Sequence, residues 1–91
     1  GGATADAVGE RLARLSKQRQ ILVVTHSPQV AARSAHHAIV MKTGKTNPTT
    51  KILPLSNSNE RTEEIARMLS GAEITKEARA QAAKLLEKSA A

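Results

Sequence analysis

The sequence contains no cysteine and no aromatic residue. The absence of cysteine excludes disulfide bonds, thiolate metal sites and a cysteine nucleophile, and it fits a reducing cytosol. Without Phe, Tyr or Trp there is no platform on which nucleic-acid bases could stack. Leu, Ile, Val, Met and Ala must therefore fill the core, and because the chain has only 91 residues, we expect one small domain with a thin core.

Long apolar runs are also missing. No stretch approaches the roughly 20 residues of a membrane span. The N-terminus lacks a basic region followed by an apolar stretch, so the sequence predicts neither a transmembrane helix nor a signal peptide. The chain starts with Gly1 and Gly2 rather than with methionine. We therefore expect a soluble chain that is a fragment or a processed product.

Basic residues outnumber acidic ones. Fourteen Lys plus Arg stand against eight Asp plus Glu, for a net charge of +6. Such an excess favours polyanionic partners, because binding releases counterions. Two interpretations stay open at this point. The charges are solvated helix faces and a mobile loop, or the chain is a basic, non-enzymatic module that binds DNA or a protein partner.

The most informative segment is an aliphatic run that ends in a histidine. Residues 20–25 carry four consecutive apolar side chains without alternation, which predicts a strand covered on both faces, as in a parallel sheet. Ser27 is a good N-cap and Pro28 suits the first helical position, so a short helix is predicted over 29–34. His26 then lies in the strand-to-helix crevice, where open α/β sheets bind ligands.

The flanking segments carry helix and hairpin signals. An apolar stripe that includes Val8 and Leu12 predicts a helix over 4–17. Two short apolar runs, 38–41 and 51–55, are separated by the turn-forming residues between them, which predicts a β-hairpin with a long loop. Pro54 has no N–H to donate, so the second run is expected at a sheet edge.

Two further helices complete a predicted α/β fold, in which a parallel-type strand and the hairpin form a small sheet flanked by about four helices. Ser58 is predicted to cap the first of these helices, and Gly71 to end it. Thr75 is predicted to cap the last one. The apolar positions of these two helices are Ile65, Met68 and Leu69 in the first, and Ala78, Ala82, Leu85 and Leu86 in the second.

Three segments, in the correct order, resemble a known family. Residues 25–31, Thr-His-Ser-Pro-Gln-Val-Ala, are similar to the switch-histidine loop of ATP-binding-cassette (ABC) heads in ATPases of the structural-maintenance-of-chromosomes (SMC) type. Residues 64–75, with the Ala-rich helix ending at 83–86, resemble the C-terminal end of the bacterial RecN family of DNA repair proteins. Residues 1–5 look like those after that family's Walker B pair and D-loop. The resemblance spans nearly the whole chain.

The resemblance implies a fold and a site. Residues 1–91 would be a single C-terminal segment of a P-loop ATPase head, made of the post-Walker B region, the switch-histidine loop and the C-terminal helices. From context alone His26 is more often a structural histidine, whereas the resemblance implies that it is catalytic and positions the γ-phosphate of ATP and the attacking water. The cofactor-binding residues implied are Gly1, Gly2, His26 and Gln29.

The same resemblance implies what the chain lacks. It contains no Walker A loop, signature motif, Q-loop or Walker B acidic pair. ATP and Mg²⁺ would therefore be cofactors of the full-length protein, and we expect the 91-residue chain alone to bind no cofactor and to hydrolyse no ATP. We expect no metal site within it.

The implied partners follow from the implied head. In the full-length protein, ATP would drive head engagement during recombinational repair of DNA double-strand breaks, in the bacterial cytoplasm and on the nucleoid. The expected partners are DNA and a second ATPase head in a homodimer, with no membrane. Alone, the chain would expose a strand edge and apolar surface, so we expect it to self-associate or to exchange a strand or helix between copies.

Other candidate residues are better explained structurally. His36 and His37 are adjacent, so on a strand they would point to opposite faces and could not chelate one metal. Residues 44–46, Gly-Lys-Thr, echo a phosphate-binding loop, but the earlier glycine is missing and no helix follows, so we interpret them as a turn. Glu63 and Glu64 diverge as successive helical residues, and we interpret them as exposed structural charges rather than as an acid–base pair.

Overall fold

A computed structural model describes residues 1–90 of the chain. It contains four helices and one two-stranded antiparallel sheet, so the predicted α/β composition with four helices is confirmed. None of the helices in this range is long and apolar enough to cross a membrane. In chain order the elements are α1 (Gly2–Leu15), α2 (Pro28–Ala32), β1 (Ala38–Thr43), β2 (Thr49–Pro54), α3 (Ser58–Ser70) and α4 (Lys76–Ala90).

Side-chain caps define where three of the helices begin. The Ser27 hydroxyl accepts a hydrogen bond from the Val30 amide at 3.3 Å, with Pro28 as the first helical residue of α2, as predicted. The Thr75 hydroxyl likewise accepts from the Ala78 amide at 3.0 Å at the start of α4. These caps satisfy amide groups that have no partner inside the helix.

The cap of α3 lies one residue earlier than predicted. Asn57, not Ser58, accepts from the Glu60 amide, at 2.9 Å. The Glu60 carboxylate in turn accepts from the amide and hydroxyl of Ser56, at 2.9 and 2.7 Å, which holds the chain at the entry to the helix. At the other end Gly71 adopts a φ of 81°, a backbone region that favours glycine, so the predicted end of the helix is confirmed.

The core lies where α2, α3 and α4 meet. Ile65 of α3 is 0% exposed and is the largest fully buried side chain in the described part of the chain. Its buried neighbours are all alanines, whose small side chains let three helices approach one another closely. The alanines come from α2 (Ala31, Ala32), α3 (Ala66) and α4 (Ala78, Ala82), and the partly buried Met68, Leu69, Ile74, Leu85 and Leu86 pack around them.

Helix α1 packs on α2 through a glycine. A Cβ placed on Gly9 would lie 3.0 Å from Cγ of Arg33 and 3.2 Å from both the Gln29 carbonyl oxygen and Cα of Val30. Any larger residue at position 9 would therefore push the two helices apart. Much of the apolar stripe of α1 is open to solvent in the described part of the chain, since Val8 and Leu15 are both exposed.

Asp6 ties three helices together at the same interface. Its carboxylate accepts hydrogen bonds from Arg33, beyond the end of α2, at 3.1 Å and from Lys88 of α4 at 2.9 Å. These two hydrogen bonds hold the pKa of Asp6 below its usual value. The ion pairs therefore join the first helix to the last across the end of α2.

The predicted hairpin is confirmed, with strands longer and a loop shorter than the sequence indicated. In its register Val40 pairs with Ile52 and Lys42 with Thr50. Gly44 has a φ of 88°, which lets the chain turn tightly between the strands. Because the sheet has only these two strands, both are edge strands, as Pro54 requires.

The predicted parallel-type strand over 20–25 is wrong for this chain. Residues 20–27 form neither helix nor strand, and Leu22 and Val24 are 93% and 91% exposed. A parallel strand takes its backbone hydrogen bonds from neighbouring strands. Within residues 1–90 the only strands are those of the hairpin, which pair with each other in antiparallel fashion, so the apolar run has no strand to join.

The burial of Ile65 generates a stability prediction. We expect Ile65→Ala to lower the free energy of unfolding of the 91-residue chain by about 2–5 kcal/mol, because it removes a fully buried side chain and leaves a cavity. Urea unfolding followed by circular dichroism measures it. Ile52→Ala is the matched control: the same atoms are removed from a side chain that is 67% exposed, so the change should stay within about 0.5 kcal/mol.

The exposed apolar run generates a prediction about association. Because Leu22 and Val24 are open to solvent, we expect the mass of the isolated chain, measured by light scattering, to rise with concentration. The double substitution Leu22→Thr and Val24→Thr should shift it toward the monomer mass. A monomer mass for the unsubstituted chain over the whole concentration series would contradict the prediction.

Candidate functional site

His26 lies at the junction between the unpaired apolar run and helix α2. Its neighbours fix the backbone around it, because the Ser27 amide donates to the Thr25 hydroxyl at 3.0 Å. The imidazole itself is exposed. The histidine is thus held on a short turn immediately before α2, with its side chain accessible to a ligand.

Gln29 is the second predicted site residue on this turn. The Ser27 hydroxyl donates to Oε1 of Gln29 at 3.2 Å, while it also accepts from the amide of Val30. The capping serine therefore also restrains the glutamine side chain. Ser27 was predicted only as a cap, and its contact with Gln29 depends on a rotamer that sequence periodicity does not specify.

Gly2 lies beside Gln29. A Cβ built on Gly2 would be 3.4 Å from Nε2 of Gln29, so the start of α1 and the start of α2 adjoin at this point. Gly1 has open space around it, with nothing within 4 Å of a built Cβ. The structure therefore brings Gly2 and Gln29 together, next to the turn that carries His26, and leaves Gly1 at the exposed edge of this group.

The polar side chains around the turn that carries His26 are better suited to contact a phosphate group than to bind a metal ion. They offer an imidazole, a carboxamide and a hydroxyl, but no carboxylate. In the described range, no three His, Asp or Glu side chains come together in a way that could hold a metal ion. Residues that hold Mg²⁺ would have to come from elsewhere in a longer protein.

The other two histidines occupy different environments. His36 is exposed, whereas His37 is half-buried and its Nδ1 is buried without a hydrogen-bond partner among the described residues. Burial lowers the pKa of His37, and the nearby Arg61 cation lowers it further against an opposing effect of Glu64. His37 therefore favours the neutral form.

The glutamate pair of α3 has a structural role, as interpreted, but only one of the two is exposed. Glu63 accepts two hydrogen bonds from Arg79, at 2.8 and 3.2 Å, which connect α3 to α4. Glu64 is 7% exposed and accepts two from Arg67, at 2.5 and 2.8 Å. The expectation that Glu64 is exposed is wrong, because Glu64 and Arg67 line a cleft together with residues 39–42 of the hairpin. Residues 44–46 form part of the hairpin turn, as interpreted.

Positive charge is concentrated in one stretch of the chain, which the net charge of the whole sequence does not reveal. Residues 11–59 contain eight Lys or Arg and no Asp or Glu. Three of these cations, Lys42, Lys45 and Lys51, lie on the hairpin and are exposed. A running count of charge along the sequence would have found this stretch.

The chain is similar to several proteins that share one name. It is 52% identical over 87 residues to the DNA repair protein RecN of Xylella fastidiosa strain 9a5c, which covers 96% of the chain and 16% of that protein. Identity to the RecN of Deinococcus radiodurans is 54% over 71 residues, covering 78% and 13%, respectively. The RecN of Streptomyces coelicolor is 44% identical over 87 residues, covering 96% and 15%. No family model matches the chain.

These figures also bound what the similarity covers. The chain spans about a sixth of the length of the curated relatives it matches. The RecN proteins named above are therefore about six times longer than this chain.

The environment of His37 predicts a pH dependence. Its pKa in the folded chain lies below the unfolded value of 6.5, so the unfolded chain binds the proton more readily. The contribution of His37 to stability is thus complete above pH 6.5 and is lost as the pH falls through the folded pKa. We expect urea unfolding midpoints to fall over this range, and His37→Gln to flatten the fall. With His36→Gln, the exposed neighbour, the fall should persist; a flattened profile for that control would contradict the assignment.

Proposed function

Because the chain belongs to the RecN family of DNA repair proteins, we propose that it acts in DNA repair as the switch-histidine segment of an SMC-type ABC ATPase head. One observation carries the proposal: the identity to RecN of Xylella fastidiosa, 52%, extends over 96% of the chain rather than over a single motif. A shared loop alone would not produce similarity in the hairpin and the last helices as well.

The proposed role of His26 is to position the γ-phosphate of ATP and the water that attacks it. Its exposed imidazole on a turn braced by Thr25 and Ser27 supports this role, because a positioning group must be both accessible and held in place. An imidazole N–H directed at the transferring phosphoryl group stabilises charge that grows in the transition state. His26 would therefore affect the rate of hydrolysis more than the binding of ATP.

Gly1, Gly2 and Gln29 are proposed to complete this edge of the nucleotide site. Gly2 has no side chain to block the approach of a ligand, and the carboxamide of Gln29 lies beside it. The Gln29 Nε2 group can donate a hydrogen bond to a phosphate oxygen or to the attacking water. When bound, ATP with Mg²⁺ supplies the reacting phosphoryl group; these residues would orient it, and the carboxylates for Mg²⁺ would belong to the rest of the protein.

The apolar run before His26 is proposed to become a strand in the full-length protein. Its side chains at Leu22 and Val24 are almost fully exposed here, which is costly for a run of four apolar residues. Additional parallel strands from the remaining five-sixths of a RecN chain would supply both hydrogen bonds and cover. We also propose that hydrolysis is a property of the full-length homodimer, in which ATP would lie between two heads, as the resemblance to SMC-type ATPase heads implies.

A second function is favoured by a separate observation. The acid-free stretch over 11–59 fits a basic module that binds DNA or a protein without any enzymatic role. ATP hydrolysis discriminates between the two. A full-length protein that carries this segment and binds DNA without hydrolysing ATP would leave only the second function.

We expect His26→Ala in the full-length protein to lower kcat for ATP hydrolysis by about 10²–10³-fold, as for the loss of one transition-state donor. KM for ATP should stay nearly unchanged, because the contact strengthens only in the transition state. Phosphate release at saturating ATP measures the rate. His36→Ala is the matched control, since it removes another exposed imidazole away from the site. Equal rates for His26→Ala and the unsubstituted protein would refute the role.

A further inference from the structure

We propose that the hairpin formed by β1 and β2, residues 38–54, is a DNA-contacting ribbon that grips the phosphate backbone of duplex DNA. This inference rests on the proposed function in DNA repair and deepens it by assigning a contact surface. The residues that make the contact are Lys42, Lys45 and Lys51, together with the polar tip between them.

The backbone of the hairpin stands apart from the helices, although residues 39–42 line one cleft together with Glu64 and Arg67 of α3. Neither strand comes within 8 Å of any helix, measured between Cα atoms. Every residue of the two strands is exposed except Ile39, which is partly buried. Six residues per strand give a ribbon about 20 Å long. A two-stranded ribbon of this kind fits the major groove of B-DNA, which is about 12 Å wide.

The positive charge of the hairpin is not neutralised by its surroundings. No acidic residue occurs anywhere between Glu10 and Glu60 in the sequence. None of the ion pairs formed within residues 1–90 involves a hairpin lysine. Glu64, whose side chain lines a cleft with residues 39–42 of the hairpin, is already paired with Arg67. The three ammonium groups are therefore available to an external anion.

The polar tip suits phosphate oxygens. Hydroxyl and amide side chains make a large share of the contacts between proteins and the DNA backbone. The hairpin carries five such residues near the three lysines, and no acidic side chain that would repel a phosphate. Gly44, with its φ of 88°, keeps the turn narrow. The five are Thr43, Thr46, Asn47, Thr49 and Thr50.

The position of the exposed apolar side chains on the hairpin favours duplex DNA over an apolar partner. Val40 and Ile52 pair at 62% and 67% exposure and lie on the half of the hairpin nearer the helices. Lys42, Lys45 and the threonines lie on the outer half, where Met41, paired with Lys51, is the one exposed large apolar side chain. An apolar partner would need the reverse arrangement. Because the chain has no aromatic residue to stack on unpaired bases, the backbone of duplex DNA is the partner that the tip fits.

The test compares two triple substitutions in the full-length RecN protein that contains this segment. One replaces Lys42, Lys45 and Lys51 by Gln. The matched control, called the non-hairpin control, replaces three exposed lysines outside the hairpin by Gln and removes the same charge elsewhere on the surface. Fluorescence anisotropy measures the affinity for a labelled duplex of mixed sequence over about 50–200 mM salt. The control positions are Lys17, Lys76 and Lys84, which are exposed and take part in none of the ion pairs formed within residues 1–90.

Loss of three phosphate contacts should reduce the slope of log affinity against log salt by about 3. At low salt the hairpin variant should bind about tenfold or more weakly, and by the same factor for unrelated sequences. The non-hairpin control should retain the slope and affinity of the unsubstituted protein. A third variant, with Arg at the three hairpin positions, should also retain them, because the charge is kept.

The outcomes separate this inference from the proposed function. ATP hydrolysis without DNA is measured on each preparation, and it should be equal in all variants because the hairpin lies outside the nucleotide site. If the unsubstituted protein binds duplex DNA and the hairpin variant binds it with the same slope, the hairpin inference is overturned while the proposed function stands. Equal weakening in the non-hairpin control overturns it too, since the effect would then be one of net charge. An unsubstituted protein that neither hydrolyses ATP nor binds DNA overturns both.

Discussion

Backbone hydrogen bonds decide what the segment before His26 can be. An apolar run within a parallel sheet takes its donors and acceptors from strands on either side, and each of those strands must come from elsewhere in the chain. Residues 1–90 provide only a hairpin whose two strands satisfy each other. The run is therefore left without partners, with Leu22 and Val24 in solvent. The exposed apolar surface next to the candidate site follows from this one missing set of hydrogen bonds.

The helices do not depend on hydrogen bonds from neighbouring strands. Their hydrogen bonds are internal, and the N-terminal ends of α2, α3 and α4 are capped by the side chains of Ser27, Asn57 and Thr75. Ile65 and the surrounding alanines then join α2, α3 and α4 into a small core. This explains how one part of the molecule has ordinary helical packing while the turn at His26 adjoins a segment with no regular structure.

The elements that could be predicted from sequence are those with local causes. The hairpin, the cap at Ser27 and the stripe containing Ala78 and Ala82 depend on residues a few positions apart, and the structure confirms them. Whether residues 20–25 form a strand could not be predicted from the neighbouring sequence, because the strands that would pair with them are remote. The burial of Glu64 was also missed, since it depends on where the hairpin lies over α3. For the candidate site, the order Thr25-His26-Ser27 was visible, but the approach of Gly2 to Gln29 requires the packing of α1 on α2 through Gly9.

We propose that this segment completes its fold only with the rest of a RecN protein. Amide hydrogen exchange of residues 21–25 tests it most directly, measured in the isolated 91-residue chain and in the full-length protein under the same conditions. We predict rapid exchange in the isolated chain and strong protection in the full-length protein, because neighbouring strands would then bind these amides. Equally rapid exchange in both would contradict the account.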